Sequence, residues 1–551
     1  MLTLALLALQ PSFADTYPPD AVIADALAIQ IPPQGLDMVT ALVPELLPER
    51  IDLGTVGDSA DGWLGCFGGY EYELSNAWVG IQLTDATVRP AAGALYLDAD
   101  LLVNINDATD KFNIYTDVSC VSGSCPGYIS PFPVTVSTAI ALEVIESDTG
   151  APTLDATIGD ITVSYSDLAS AIELDCALGT VEEVLNWFGL SLYDFIIGLL
   201  DSTLQGMIAD MGPELEAQIE DAFSAAVVDQ EMDLNGVTMT IHLFPRDVNI
   251  NDAGVELVMS GAMSAEPAAC TEAYDPGGSL RTDSAIPALT SVPQSSHMGL
   301  QVSDDMANQA MYALWRGGLL CYELQGDDPL PINTSLLGLL AGDSFNEIFP
   351  ESKPMIIATR PKAAPTMNWV GDHDVNIDVQ DLGLNFYAEV DDRMALALGI
   401  NIDAVAGLDP VLNGATGELG LNVALSGDNV AAEVISNELV KGTDELIEEN
   451  FAGVFDSLLG SLLGGLLGDL SFALPNFSGL GLTDLSLEPG GDQGDWLSGY
   501  ATLGPVSYPS SGCDSGGGCG GGCSSGEAQA RAFWLLSLPF ALVFVRRRRR
   551  A

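Results

Sequence analysis

Apolar and polar residues along this chain follow two periods in turn, and the order of those periods occurs twice. Leu36, Val39, Val43 and Leu46 fall on one helical face, and Pro48 closes the segment. Alternation with period two follows over 94–105 and 157–164, which predicts strands. Val184, Phe188, Phe195, Leu199, Leu204, Ile208, Leu215, Ile219 and Phe223 then recur at helical spacing, with Gly212-Pro213 marking a bend. Strands resume at 237–243 and 255–260. After residues 263–296, the order repeats. A helix is predicted over 304–317, then strands at 354–360, 373–378, 384–390, 394–402 and 417–425. A second long helical pattern runs from Glu433 to about Leu467, and a strand-like segment at 480–487 ends the series.

A long helix standing in water would be polar all round, whereas both long patterns carry a wide apolar face. Each must be covered, most simply by a curved antiparallel sheet. The expected class is therefore α+β: two similar halves, each a curved antiparallel sheet wrapped around a long helix, joined by a linker. The expected divisions are 15–262 for the first half, 263–296 for a Pro/Ser/Gly-rich linker and 297–505 for the second half.

Charge narrows the partners. Across 551 residues there are 17 Lys and Arg against 77 Asp and Glu, a net charge of −60, yet 48% of residues are apolar. Disordered acidic chains lack that apolar content, so this is a folded protein with a strongly negative surface. Nucleic acid is excluded as a partner, because binding it needs cations that displace phosphate counterions. Docking on anionic lipid headgroups is equally disfavoured. Six of the basic residues, Arg531 and Arg546 to Arg550, lie at the very end; the remaining 11 against 77 acids give the body −66.

Both ends read as addresses. Residues 1–14 form an apolar run ending Ser12-Phe13-Ala14, like a secretory signal peptide, although no basic residue precedes Arg50. Residues 506–530 form a Gly/Ser/Cys-rich spacer holding Cys513, Cys519 and Cys523. In 531–551 an apolar segment, 532–545, precedes five arginines. Fourteen helical residues rise about 21 Å against roughly 30 Å of hydrocarbon, short for a permanent span. The arginines would stay on the cytoplasmic side. This order resembles the C-terminal sorting tails of bacteria, the myxobacterial type in particular. The resemblance implies processing machinery for the tail and retention at the cell surface or outer membrane. Six further cysteines, Cys66, Cys120, Cys125, Cys176, Cys270 and Cys321, read as disulfides in an exported chain, with 15 possible connectivities. Zinc is the rival, but neither a Cys-x-x-Cys pair nor a His cluster accompanies them.

The repeat itself resembles the family of bactericidal/permeability-increasing protein, lipopolysaccharide-binding protein and the plasma lipid-transfer proteins. The residues that carry the likeness are Ile29-Gln30-Ile31-Pro32-Pro33-Gln34-Gly35-Leu36-Asp37 and Gly299-Leu300-Gln301-Val302-Ser303-Asp304 with Asn308, Trp315 and Gly318-Leu319-Leu320. Further matches are Phe345 to Phe349, Pro354 to Ile357, Leu382-Gly383-Leu384-Asn385-Phe386 and Leu474-Pro475 with 480–487. The resemblance implies two elongated barrels, each a twisted antiparallel sheet wrapped around a long helix, joined by the linker and a central sheet, with apolar tunnels that take the acyl chains of a phospholipid or similar ligand. Wall candidates in the first half are Leu36, Val39, Val43, Trp187, Phe188, Phe195, Leu199 and Met207. In the second half they are Met311, Leu314, Trp315, Leu319, Phe451, Val454 and Phe455. Each could equally serve as packing between helix and sheet. The family's disulfide ties a strand to the first long helix, yet no Cys lies between Ala177 and Phe223. Cys176 stands in, with Cys66 or Cys120 as partner, and Cys270 is within reach of Cys321. The basic tip of the endotoxin binders has no counterpart, since residues 15–262 hold only Arg50, Arg89, Lys111 and Arg246.

Catalysis finds little support. Gly57-Asp58-Ser59 and Gly342-Asp343-Ser344 look like the Gly-Asp-Ser of some lipases. Only His242, His297 and His373 could serve as a base, and no Asp-x-x-His follows. Carboxylates at Asp98/Asp100, Asp107/Asp110 and Asp372/Asp374/Asp378 suit calcium chemically but complete no EF-hand. The expected function is a non-catalytic, surface-retained lipid-binding or lipid-transfer protein, with bound lipid and no other cofactor. The alternative is a structural or adhesive surface protein, with calcium as its possible ion.

Overall fold

A computed structural model describes residues 16–40, 50–62, 65–118, 121–147, 150–166, 168–175, 213, 216, 227–234, 236–326, 332–413, 418–425, 429–440, 443–466, 471–473 and 480–505. Antiparallel sheets account for most of them. An eight-stranded N-terminal sheet, a seven-stranded central sheet and an eight-stranded C-terminal sheet follow one another, with a two-stranded ribbon beside them. The fold is α+β.

The N-terminal sheet is built on two very long strands, Gly65–Ala91 and Val121–Glu146. At about 3.3 Å per residue each has a contour near 90 Å. Neither keeps one partner along that length. Gly65–Ala91 pairs with Arg50–Gly62, Ala94–Ile105 and Phe112–Val118 in different stretches, with bulges between them. Such changes of partner, each with added twist, curl the sheet. Its inner face collects Val79, Val103, Ile105, Phe112, Ile129 and Phe132. The 157–164 pattern is not one strand: Pro152–Ile158 and Thr162–Tyr165 pair with successive stretches of the same long strand. Gly159 bridges the break, its N–H donating to the Ala139 carbonyl at 2.7 Å.

The C-terminal sheet is built the same way on Val375–Val390 and Arg393–Asn413. A turn at Asp391-Asp392, both at positive φ, joins them with Val390 opposite Arg393. The separate strands expected at 373–378 and 384–390 are one strand. Its register shifts between Val379 and Leu382, around Asp381 at φ 51°, so the alternation breaks in sequence while pairing continues. The second long helical pattern also needs correction. Residues 433–436 belong to the strand Val430–Ser436, where Glu433 pairs with Asn401 and Val434 with Ile400. The side chain of Asn437 then turns the chain through bonds to Val440 and Thr443, and the helix begins only at Asp444. The alternating half-buried pattern of that short strand outweighs its helical spacing.

The central sheet joins the halves. Its strand order is Val228–Leu234, Val237–Asn251, Gly254–Ala265, Ile23–Ile31, Met298–Ser303, Trp496–Pro505 and Leu480–Gly490. Reading outward from the contact of Ile23–Ile31 with Met298–Ser303, each half contributes its opening strand, then its last strand, then the strand before it. Each opening strand also runs into a helix: α1, Pro33–Thr40, and α2, Asp304–Arg316. The sequence repeat is thus a near-symmetric arrangement about one strand contact. A third helix, α3, spans Asp444–Leu466 in the C-terminal half.

The contact between the halves is polar at its centre. Gln30 and Gln301 are both 0% exposed. Gln301 Nε2 donates to Gln30 Oε1 at 3.0 Å, and Gln30 Nε2 donates to Glu256 Oε2 and the Pro287 carbonyl at 2.8 and 2.6 Å. Ser498 Oγ donates to Gln301 Oε1 at 2.5 Å. Four segments are linked by amide dipoles with no water between them. Gln301→Ala strands the Ser498 hydroxyl and the Gln30 carbonyl inside the sheet, so it should cost about 2–4 kcal/mol. Urea unfolding measures this, and a Gln30→Ala/Gln301→Ala pair should cost clearly less than the sum of the two.

Candidate functional site

The wall candidates that can be placed fall into separate clusters. Leu36, on α1, packs with Ile250 and Val255 and touches Val88, Leu95 and Leu142, where the N-terminal sheet meets the central one. Met311 and Leu314, on α2, lie in a core that draws Leu154 from the N-terminal sheet and Met367, Trp369 and Val375 from the C-terminal sheet; Leu319 packs against it. Trp315 is 1% exposed, lies 5.9 Å from the Tyr312 ring and donates its indole N–H to the Pro361 carbonyl at 3.1 Å. Phe451, Val454 and Phe455 share the C-terminal core with Leu337, Leu340, Phe345, Phe386 and Ile447. The side chain of Val39, and all of Val43, Trp187, Phe188, Phe195, Leu199 and Met207, lie outside the described residues.

Helix α2 explains the tight enclosure of its candidates. Every residue from Asp304 to Trp315 is buried, because the helix is wedged between the central sheet, the strand Thr366–Asn368 of the C-terminal sheet and the ribbon strand Ser279–Leu280. Ser303 caps it, its Oγ accepting the Met306 N–H at 3.1 Å. Its polar residues are each matched. Asn308 Oδ1 accepts the Met367 N–H, Gln309 Oε1 accepts the Met263 N–H and Gln309 Nε2 donates to the Ala21 carbonyl, all at 2.8 Å. Helix α3 differs. Phe451 is 1% exposed, but Val454 and Phe455 are only half-buried, the two phenyl rings stacked with centroids 5.6 Å apart. Their apolar surface is incompletely covered by protein.

Charge is arranged sparingly. All four cations of residues 15–262 face an aspartate: Arg50 with Asp52 at 3.0 Å, Arg89 with Asp98 at 2.5 Å, Lys111 with Asp175 and Arg246 with Asp25. In the second half Arg281 meets Asp283 at 2.7 Å and Arg316 meets Asp275 at 3.2 Å. Burial alone would raise Asp275; the Tyr312 hydroxyl, the Gly277 amide and Arg316 together hold it below the usual carboxylate range.

Cys270 and Cys321 form a disulfide with Cα atoms 6.5 Å apart, closing a 51-residue separation, and Cys125 is also disulfide-bonded. The side chain of Cys66, and Cys120, Cys176, Cys513, Cys519 and Cys523, lie outside the described residues. Five of the seven candidate calcium carboxylates have protein partners, Asp98 through Arg89. Asp100 accepts from Thr135, Asp107 from Thr109, Asp110 from Asn76 and Trp78, and Asp378 from Asn368. Among the described residues no three His, Cys, Asp or Glu side chains group as a metal site. The histidines are likewise engaged: His242 with Asp229, His373 with Asp409, and His297 Nδ1 with the Leu503 N–H. An open, polar groove of about 670 Å³ lies at the edge of the central sheet, lined by Asp20, Glu231, Thr240, Glu266 and Arg316 among others. Among the described residues no helix is long and apolar enough to cross a membrane.

The sequence matches no family model and no curated protein. Among solved structures it is similar to the crystal structure of lipopolysaccharide binding protein, at 14% identity over 88% of this chain and all of the other, with a TM-score of 0.48. It is also similar to P47 of Clostridium botulinum E1, at 8% identity over 88% of this chain and all of the other, with a TM-score of 0.24.

The polar residues that fix α2 and the seam were not singled out for a role by sequence reasoning. Gln30 and Gln301 sat inside quoted motifs, and their signal was a lone amide between apolar neighbours, Ile29-Gln30-Ile31 and Leu300-Gln301-Val302. With a net charge of −60, mutual repulsion at the surface should dominate the salt response. Raising NaCl from about 0.01 M to about 1 M shortens the screening length from roughly 30 Å to 3 Å. The thermal midpoint should rise steadily over that range, which calorimetry reads directly.

Proposed function

We propose that this protein is an exported lipid-binding or lipid-transfer protein that holds acyl chains against the apolar inner faces of its curled sheets and is retained at the cell surface through its C-terminal tail. The observation that carries this reading is the incompletely covered face of α3, where Val454 and Phe455 remain half-buried beside a fully buried Phe451. The following Leu458-Leu459, Leu462-Leu463 and Leu466-Leu467 continue the same apolar character in sequence. Each methylene removed from water contributes about 0.8 kcal/mol, so acyl chains can supply binding without a headgroup site.

The ion pairs favour a headgroup without net negative charge. Each cation of residues 15–262 already faces an aspartate, inside a body of strongly negative potential. A phosphatidylcholine-like or neutral lipid fits that field better than an anionic one. The apolar run at 1–14 and the Cys, apolar and Arg series after 506 support export and retention.

Mass spectrometry of organic extracts from the purified protein tests the reading. Lipid is expected at about one molecule per chain, as for a ligand enclosed in a pocket. Lipid-free extracts would overturn it. Phe455→Ala should lower the lipid recovered while costing less stability than Phe451→Ala, for which about 3–5 kcal/mol is expected. Uptake from phosphatidylcholine vesicles should exceed uptake from phosphatidylglycerol vesicles.

A further inference from the structure

Residues 270–283 form a strap along the outer side of α2, running opposite to the helix. At the C-terminal end of α2 the strap is fixed by several bonds of different kinds. Cys270 is bonded to Cys321, the Ala268 N–H and Thr271 Oγ1 donate to the Arg316 carbonyl at 2.8 and 2.9 Å, and Asp275 takes the Tyr312 hydroxyl and Arg316 Nε. At the N-terminal end the attachment is different. Ser279–Leu280 pairs with Thr16–Tyr17, and two carboxylates of the first turn of α2 take hold of Thr282 and Asp283. Asp305 accepts the Thr282 and Asp283 N–H groups at 2.6 and 3.2 Å, and Asp304 accepts the Thr282 hydroxyl at 2.8 Å.

We propose that residues 279–283 are a latch on the joint between the two halves, seated in acid and loosened toward alkaline pH, while the disulfide-bonded end of the strap stays in place. Closing it covers Asp304 and Asp305, both buried, beneath the strap, with Asp495 behind them, its carbonyl accepting the Asp304 N–H at 2.9 Å. Arg281 attracts Asp305 at a distance but is bonded to Asp283 and lies 4.8 Å over the Tyr17 ring, so among the described residues neither carboxylate has a salt bridge.

The ionisation of these groups follows from that geometry. Burial first, then the like charges of Asp305 and Asp495, push Asp304 up to about 6, against the Thr282 hydroxyl and the Asp305 amide. Asp495 is raised as well, by burial, then by Asp305 and Asp492. An open latch returns Asp304 to water and to an ordinary carboxylate value. The closed form therefore binds the proton more tightly, and closure strengthens as pH falls through about 6. Asp283 acts the other way: the Arg281 hydrogen bond, against a small opposing effect of burial and helped by the Tyr17 hydroxyl, holds it low, so its contribution is lost only below the usual carboxylate range. Tyr17 is pushed above its ordinary value by burial and by Asp283, and keeps its proton throughout.

Hydrogen exchange at the Thr282 and Asp283 amides of the full chain, corrected for intrinsic rates, tests the latch. Protection should rise by about tenfold between roughly pH 8 and pH 5. The Ala268 and Thr271 amides at the fixed end should stay level over that range. Asp304→Asn keeps an acceptor for Thr282 without a titrating charge, so the rise should vanish. Level protection in the wild type, or an unchanged slope in Asp304→Asn, would overturn the proposal. Should that variant not fold, the wild-type contrast between the two ends of the strap decides the matter alone.

Discussion

The rest of the architecture depends on the buried amide chain that runs from Glu256 through Gln30 and Gln301 to Ser498. Two sheet halves meeting through apolar strands alone could slide by two residues and still bury the same faces. Buried side-chain amides bonded to several fixed partners remove that freedom, because every slipped register leaves donors and acceptors unmatched. The pairing of Gly299 with Gln30 and of Gln301 with Ala28 is thereby singled out. Once that register is fixed, the strand order outward on both sides follows, and the two opening strands deliver α1 and α2 at corresponding places.

Helix α2 then couples the halves in a way α1 does not. It is buried from Asp304 to Trp315, and its amides reach the strand Gly254–Ala265 on one side and the strand Thr366–Asn368 on the other. The hydrophobic core it enters is continuous across all three sheets. A change at α2 is therefore felt by both curled sheets, whereas the half-buried face of α3 belongs to the C-terminal half alone. Met311, Leu314 and Trp315 on α2 are enclosed by protein, whereas Val454 and Phe455 on α3 keep part of their apolar surface exposed.

Much of this was legible in the sequence because periodicity reports burial. The strand at 94–105 and the helix beginning at Asp304 were placed nearly to the residue, since each has one clean period and, for α2, a Ser303 cap. The errors share one cause. At 157–164, at 373–390 and at 433–436 the chain keeps its pairing partner or changes structure through a few irregular residues that include Gly159, Asp381 or Asn437. A local pattern cannot tell a bulge inside a long strand from a break between two strands, because the pairing that continues is with residues far away in sequence. The same limit applies to the seam: Gln30 and Gln301 are 271 residues apart, and nothing local announces that they meet. Among the site candidates, the sequence could mark α3 residues as apolar, but only their packing separates Phe451 from Phe455.

The contrast between surface and seam explains how so acidic a chain can hold such a joint. Exposed ion pairs such as Arg89–Asp98 contribute little each and are weakened further by salt. At the seam the protein uses neutral amides and a hydroxyl, whose bonds do not depend on ionic strength. Only one carboxylate, Glu256, touches that chain, and it does so as an acceptor from Gln30 rather than as half of an ion pair. The latch is the exception to this separation. There Asp304 and Asp305 bring charge under the strap, and the joint becomes sensitive to pH at the one place where the protein departs from its own rule.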